Sequence, residues 1–305
     1  MDILTIVGLE KSFGNQRVLN GLSFSVPEGS IYGFIGKNGS GKTTTMKIVL
    51  GLLQADAGEI TVCGEKVHYG DTRTNRFIGY LPDVPDFYGF MTAKEYLRLC
   101  GEITGIPSAI IQTKSEELLD LVGLADVKKR IGTFSRGMKQ RLGIAQALLN
   151  EPRLLICDEP TSALDPIGRR EILDILLKVK KRTTVLFSTH VLTDVEAICD
   201  RVGILDGGKL VLTGSVSELK NTYSSHSCTV TFRTPADAAV FQANPRISVM
   251  KNSLCSKDHS VTLQTEEPEQ AMALIIRILG DTGLVPLRLE TAEPKLEDIF
   301  LEVVR

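Results

Sequence analysis

Gly36-Lys37-Asn38-Gly39-Ser40-Gly41-Lys42-Thr43 is the stretch that decides the fold. It has the spacing G-x-x-x-x-G-K-[ST], and it follows a short apolar run, Ile31 to Ile35, that reads as a strand. A helix from about Lys42 to Leu52 is expected behind it. In that strand–turn–helix setting the residue types have a physical purpose. Glycines let backbone N–H groups turn inward around phosphates, and the helix N-terminus adds the positive end of its dipole. Lys42 would reach the β- and γ-phosphates as a point charge, and the Thr43 hydroxyl would ligate Mg²⁺. Thr44, next in the first turn, belongs to the same candidate set, as do the loop residues Lys37, Asn38, Gly39 and Ser40.

Further along, Leu154-Leu155-Ile156-Cys157-Asp158-Glu159 is an apolar strand ending in two adjacent carboxylates. The carboxyl edge of an open α/β sheet is where ligands bind, so these acids are expected beside the glycine loop. Asp158 would hold Mg²⁺ through water, and Glu159 would polarise the attacking water as general base.

The rest of the chain is compatible with such a core. At 305 residues it allows one or two domains, and 43% hydrophobic with 24% charged residues is ordinary globular composition. A formal net charge of −2 gives no basic footprint, so nucleic acid is not an expected partner. No stretch of about 18 apolar residues occurs, and Met1-Asp2-Ile3-Leu4 lacks the charged start of a signal peptide, so a cytoplasmic location is expected. The six cysteines are widely spaced, with neither a C-x-x-C pair nor a zinc spacing.

Strand-like and helical runs alternate through the first two thirds: Thr184 to Ser188 is a further buried strand, Pro166 to Lys180 an amphipathic helix. Asp206-Gly207-Gly208-Lys209 is a turn between Val202–Leu205 and Leu210–Leu212. From about 85 to 150 helical periods replace strands, beginning with a capping box at Thr92–Glu95, which predicts a helical insert. A polar stretch from Asn221 to Ser225 marks a boundary between residues 1–220 and 221–305. Beyond it strands are expected over Cys228–Arg233, Ile247–Met250, Ser260–Gln264 and Leu284–Leu289. Helices are expected over Pro235–Gln242 and Glu269–Gly280, with a last one from Lys295. The order βαββαβ predicts a small α+β ferredoxin-like domain.

Phe134-Ser135-Arg136-Gly137-Met138-Lys139-Gln140-Arg141 resembles the signature LSGGQ of ATP-binding cassette (ABC) transporters, and Ser162-Ala163-Leu164-Asp165 resembles their D-loop. Ser188-Thr189-His190 stands where the family keeps its switch histidine, and all motifs follow the family's order over roughly Ile3 to Leu219. The resemblance implies an ATPase: a P-loop NTPase core of the ABC type with a helical insert. It further implies that two cassettes, a second copy or a paralogue, pair head to tail with ATP between the glycine loop of one and the signature of the other. Ser135 and Gly137 would then contact the partner's γ-phosphate, Asp165 would run along the seam, His190 would sense the γ-phosphate, and Phe13 would stack on adenine. A separately encoded transmembrane permease is implied as well, holding the cassette at the inner face of the cell membrane. The contact is expected near Pro85–Tyr96, where Phe87, Tyr88 and Phe90 cluster.

Two motifs depart from the family pattern. Asp83, in Gly79-Tyr80-Leu81-Pro82-Asp83, takes the slot of a glutamine that touches Mg²⁺ and the attacking water, so altered magnesium dependence and slow hydrolysis are expected. In the signature, Arg136 replaces the first glycine and Met138 is a further change, with Ser135 and Gly137 retained. The ending Glu293-Pro294-Lys295-Leu296-Glu297-Asp298-Ile299-Phe300-Leu301 is similar to that of cassettes serving drug- and peptide-type exporters, while Leu296, Ile299 and Phe300 also form one apolar helix face. A soluble ABC ATPase of translation or DNA repair is the alternative, but relatives of that kind usually carry paired cassettes, coiled-coil inserts or zinc spacings, none of which occurs here.

Overall fold

Ile31–Gly36, Leu154–Asp158 and Thr184–Thr189 are apolar or small almost throughout, and in the computed structural model all three are strands buried along their whole length. That is what a parallel sheet covered on both faces requires. The structure describes residues 1–222, 226–248, 254–257, 259–265, 267–292 and 295–304. The chain divides into two compact units, Met1–Val216 and Ser217–Val303.

The first unit opens with β1 (Asp2–Phe13), β2 (Gln16–Pro27), β3 (Ile31–Gly36), α1 (Lys42–Val49), β4 (Ala57–Val62), β5 (Glu65–Lys66) and β6 (Ile78–Leu81). Three helices follow, α2 (Ala93–Ile103), α3 (Ser108–Leu121) and α4 (Arg136–Leu148). Then come β7 (Leu154–Asp158), α5 (Pro166–Val179), β8 (Thr184–Thr189), α6 (Leu192–Ile198), β9 (Arg201–Asp206) and β10 (Lys209–Ser215), with α7 (Val216–Thr222) at the junction. A six-stranded sheet has the order β10-β9-β3-β8-β7-β6, parallel from β9 through β6, with β10 antiparallel at the edge. A second, antiparallel sheet has the order β2-β1-β4-β5. The sequence reading places no strand before Ile31; β1 and β2 carry register shifts that break the simple alternation by which such strands are recognised. The two sheets share one core, in which Phe24 of β2 stacks on Tyr32 and Phe34 of β3 at 5.6 and 5.0 Å.

Between residues 85 and 150 the insert is helical. Thr92 N–H donates to Glu95 Oε2 at 2.7 Å and Glu95 N–H to Thr92 Oγ1 at 3.3 Å, the reciprocal box that starts α2. The last insert helix is locked onto the sheet by two glycines. A Cβ on Gly79 of β6 would lie 2.2 Å from the Ala147 carbonyl oxygen, and one on Gly143 of α4 would lie 2.5 Å from Leu81 Cδ1.

The second unit contains β11 (His226–Thr231), α8 (Pro235–Gln242), α9 (Pro245–Ser248), β12 (Leu254–Lys257), β13 (Ser260–Thr265), α10 (Pro268–Thr282), β14 (Arg288–Ala292) and α11 (Leu296–Val303). Its antiparallel sheet has the order β12-β13-β11-β14, the strand order of a ferredoxin-like split βαβ repeat. Cys228, Val230, Phe232, Phe241, Ile275 and Ile278 belong to its own core. Two expectations shift here. Ile247 and Ser248 lie in α9, where Pro245 at the first turn favours helix, with Val249 and Met250 outside the described residues. The strand that pairs with β13 is instead Leu254–Lys257. The last strand begins at Arg288, after a segment in which Val285 and Leu287 are exposed. Tyr223–Ser225 of the polar boundary and Glu293–Pro294 of the ending also lie outside the described residues, while α11 buries Leu296 and Ile299.

Gly79→Ala should lower the unfolding free energy by about 1–3 kcal/mol, because a backbone oxygen stands where the new methyl would go. A fall of the thermal midpoint by about 2–4 °C per kcal/mol would register it, and an unchanged midpoint would contradict the close packing of α4 on β6.

Candidate active site

The site forms where the carboxyl ends of β3, β6, β7 and β8 meet, the edge that a parallel sheet presents to ligands. After β3 the chain turns through Gly39 at φ 81° and Gly41 at φ 110°, backbone that side chains other than glycine rarely adopt. A Cβ on Gly36 would lie 2.4 Å from Ser40 Oγ and one on Gly41 2.6 Å from Leu19, so the loop closes only with glycine at both places. Gly41 is the N-cap of α1 and supplies no side-chain cap, and the first turn holds no acidic residue. The first N–H groups of α1 are therefore left for an anion. Ser40 Oγ is buried without a hydrogen-bond partner beside them. Lys37, Asn38 and Gly39 are exposed at the rim, and Thr43 and Thr44 sit on the first turn.

Lys42 is almost fully buried, and its ammonium donates to the carbonyls of Gly36 at 2.7 Å and Lys37 at 3.3 Å. It also lies 3.3 Å from Glu159 Oε1. On the other side Glu159 Oε2 meets His190 Nδ1 at 2.9 Å. Lysine at the start of α1, glutamate after β7 and histidine after β8 thus form one continuous polar chain. Glu159 has φ 49°, in the left-handed region that costs a non-glycine residue of order 1–3 kcal/mol. Its N–H is held by both the carbonyl and the hydroxyl oxygen of Ser188, each at 3.1 Å. The Ser188 hydroxyl, fully buried, donates in turn to Asp158 Oδ1 at 2.7 Å. Thr43 Oγ1 donates to the other Asp158 oxygen, also at 2.7 Å.

Thr43 and Asp158 make a fit for magnesium: a hydroxyl and a carboxylate already in contact, both hard oxygen donors. Among the described residues no group of three or more His, Cys, Asp or Glu side chains could hold a metal ion, so phosphate oxygens and water would complete the shell. Such a shell is magnesium's ordinary habit. Tyr80, in β6 three residues before Asp83, has its phenol pushed up to about 12 by burial and then by the Asp158 and Asp83 carboxylates. Cys157, wholly buried next to Asp158, has its thiol pushed up by burial and is no nucleophile.

The remaining expected site residues lie elsewhere on the first unit. Phe13 is half exposed, with the Lys11 ammonium 5.4 Å from its ring centre. Ser135 is the N-cap of α4, its Oγ accepting from Met138 N–H at 3.2 Å, and a Cβ on Gly137 would meet Leu164 Cδ2 at 3.8 Å, an ordinary contact. Asp165 caps α5 by accepting from Gly168 N–H at 2.9 Å. Sequence reasoning overlooked Ser188 as a strut and missed Asp194 altogether. Asp194 accepts from Thr161 Oγ1 at 2.7 Å and lies 3.2 Å from Arg169 Nε, and burial pushes its carboxyl up. It fastens α6, the helix after His190, to the turn after Glu159. Its only sequence signal is an acid four residues after the histidine.

A glycine loop capping a helix, a buried lysine and two strand-end acids on a parallel sheet define a P-loop nucleoside-triphosphate-binding protein. Comparison with known proteins gives the family. The ABC transporter family matches residues 19–162, and the family described as ATP-binding protein DrrA1-3-like, C-terminal domain, matches residues 214–304. An uncharacterised ABC transporter ATP-binding protein, YxlF of Bacillus subtilis, is 38% identical over 99% of both chains. The bacitracin transport ATP-binding protein BcrA of Bacillus licheniformis is 33% identical over 99% of this chain and 97% of its own. A solved structure described as the ATP-binding subunit of an ABC transporter superposes with a TM-score of 0.65 at 32% identity, covering 72% of this chain and 93% of that one. The chain belongs to the ABC transporter ATP-binding family, and it is an ATPase.

Ser188→Ala should destabilise the fold by about 1–3 kcal/mol in urea unfolding, since Asp158 loses a buried donor and Glu159 N–H one acceptor. No change in the urea midpoint would mean that the strut carries no load.

Proposed function

We propose that this ATPase powers export through a separately encoded membrane permease, working as a head-to-tail pair of cassettes at the inner face of the membrane. The observation that carries the reading is the Lys42–Glu159–His190 chain beside an uncapped α1, with Thr43 and Asp158 already joined. Support for transport comes from full-length similarity to a bacitracin transport subunit, and for export from the exporter-like ending at Lys295–Leu301. No helix among the described residues is long and apolar enough to cross a membrane, so translocation needs a partner that does.

In this reading the α1 N–H groups and the loop from Gly36 to Gly41 cradle the β- and γ-phosphates, and Lys42 leaves the Gly36 carbonyl to meet them. Thr43 and Asp158, with Asp83 at the same sheet edge, would hold Mg²⁺, which would supply neutralising charge to the phosphate oxygens. Glu159, released from Lys42, takes the proton of the attacking water as the γ-phosphoryl group leaves ADP. His190 hydrogen-bonds the γ-phosphate and carries its loss to α6. Phe13 stacks on adenine, its exposure leaving the ring face available. Ser135, Gly137 and Asp165 meet the second copy, whose nucleotide lies against the first turn of α4.

The permease contact is assigned to the start of the insert. Tyr88 and Phe90 are exposed with ring centres 5.8 Å apart, beside exposed Val84, while Phe87 is fixed edge-on to Tyr96 at 5.1 Å. A patch rooted on one side and open on the other suits an apolar partner element.

Lys42→Ala should abolish magnesium–ATP binding in calorimetry, whereas Glu159→Gln should bind ATP and lose about 10²–10⁴ in kcat. Equal turnover of either variant and the parent would remove the assignment. Tyr88→Ser with Phe90→Ser should keep ATP binding yet lose co-purification with the membrane subunit; retention of the complex would place the contact elsewhere.

A further inference from the structure

Asp83 and Arg136, two of the departures from the family pattern, meet each other. Asp83 Oδ1 lies 3.3 Å from Arg136 Nη2, across 53 residues of sequence. The backbone beneath them is fixed more firmly than the side chains. Gln140, fully buried on α4, donates from Nε2 to the Asp83 carbonyl at 2.6 Å, and Gly79 and Gly143 hold α4 against β6. The two charged side chains are 45% and 41% exposed. The contact is therefore a re-partnerable ion pair mounted on a rigid joint.

Its two ends face different chemistry. Asp83 stands two residues beyond Leu81, the end of β6, which pairs in parallel with β7 opposite Cys157, so Asp83 lies at the same carboxyl edge of the sheet as Asp158 and Thr43's partner oxygen. Arg136 is the first residue of α4, directly after the Ser135 cap, where a free cation would add to the positive end of the helix. With Asp83 beside it, that cation is masked. We infer that the Asp83–Arg136 pair is a clasp opened when this chain binds a magnesium–nucleotide, so that occupation of its own site unmasks a cation at the surface that receives a second copy's nucleotide. This rests on the magnesium role and head-to-tail pairing proposed above. The exchange is one of side-chain partners: the Asp83 carboxylate would give up the guanidinium for the magnesium–nucleotide, and the guanidinium would be left without its counter-charge.

The energetics suit a switch. An exposed pair of this type is worth up to about 1 kcal/mol, about fivefold in an equilibrium constant. That is enough to bias two states and too little to hold the clasp shut against a divalent cation.

Titration calorimetry of the full chain with β,γ-imido-ATP, with magnesium and with EDTA, tests the clasp. Arg136→Ala no longer has to break the pair, so it should bind the magnesium complex about two- to fivefold more tightly than the parent. The gain should vanish in EDTA and in the Asp83→Asn background, and Arg136→Lys should restore parental affinity. Sedimentation should move the opposite way: with magnesium and the analogue, Arg136→Ala should need a several-fold higher protein concentration to pair. Affinity equal to the parent, or a gain that persists in EDTA or with Asp83→Asn, would overturn the clasp, and parental pairing by Arg136→Ala would overturn the unmasked cation. A parent that binds no magnesium–nucleotide would instead sink the nucleotide reading beneath both, and one that binds but never pairs would sink the head-to-tail reading.

Discussion

A buried ammonium between a carbonyl and a carboxylate is the interaction on which this structure turns. Lys42 is nearly inaccessible to water, and a charge in that position persists only if it is paired. The Gly36 and Lys37 carbonyls and Glu159 supply the pairing, drawing the ends of β3 and β7 to one point. Everything nearby follows from keeping those ends together: glycines at 36, 39 and 41 so the loop can fold under the ammonium, and Ser188 from the intervening strand to hold both acids.

This explains which features were legible in the sequence. The glycine loop and the acid pair are each local, and each sits between elements whose apolar runs need no partner to be recognised. The ferredoxin-like order was legible because α10 carries a long helical period and α8 opens on a Thr234 cap followed by Pro235. The antiparallel sheet of β1, β2, β4 and β5 was not, because its strands bend through register shifts. The strand paired with β13 was misplaced to Ile247–Met250, where the alternating branched residues Ile247 and Val249 compete with the helix-starting Pro245.

Within the site, residue types were legible and connections were not. Nothing local says that Ser188 serves two masters, or that Asp194 ties α6 to the loop after β7. Arg136 and Asp83 each look like an isolated departure from a family pattern; the tertiary contact makes them a matched pair of opposite charges. Contacts between distant elements are set by how α4 lies on β6, and that in turn depends on two missing side chains, at Gly79 and Gly143.

Ser135 and Asp165 each end a loop by accepting a backbone N–H, so each starts a helix before it can touch any neighbour. Evolution therefore has a narrow alphabet at both places. Serine, threonine, asparagine and aspartate keep the helix begun; most other residues fray it, whatever they do at an interface. A chain that had ceased to hydrolyse nucleotide would still be expected to retain these letters, so their presence speaks for an intact scaffold and leaves the question of turnover to Glu159.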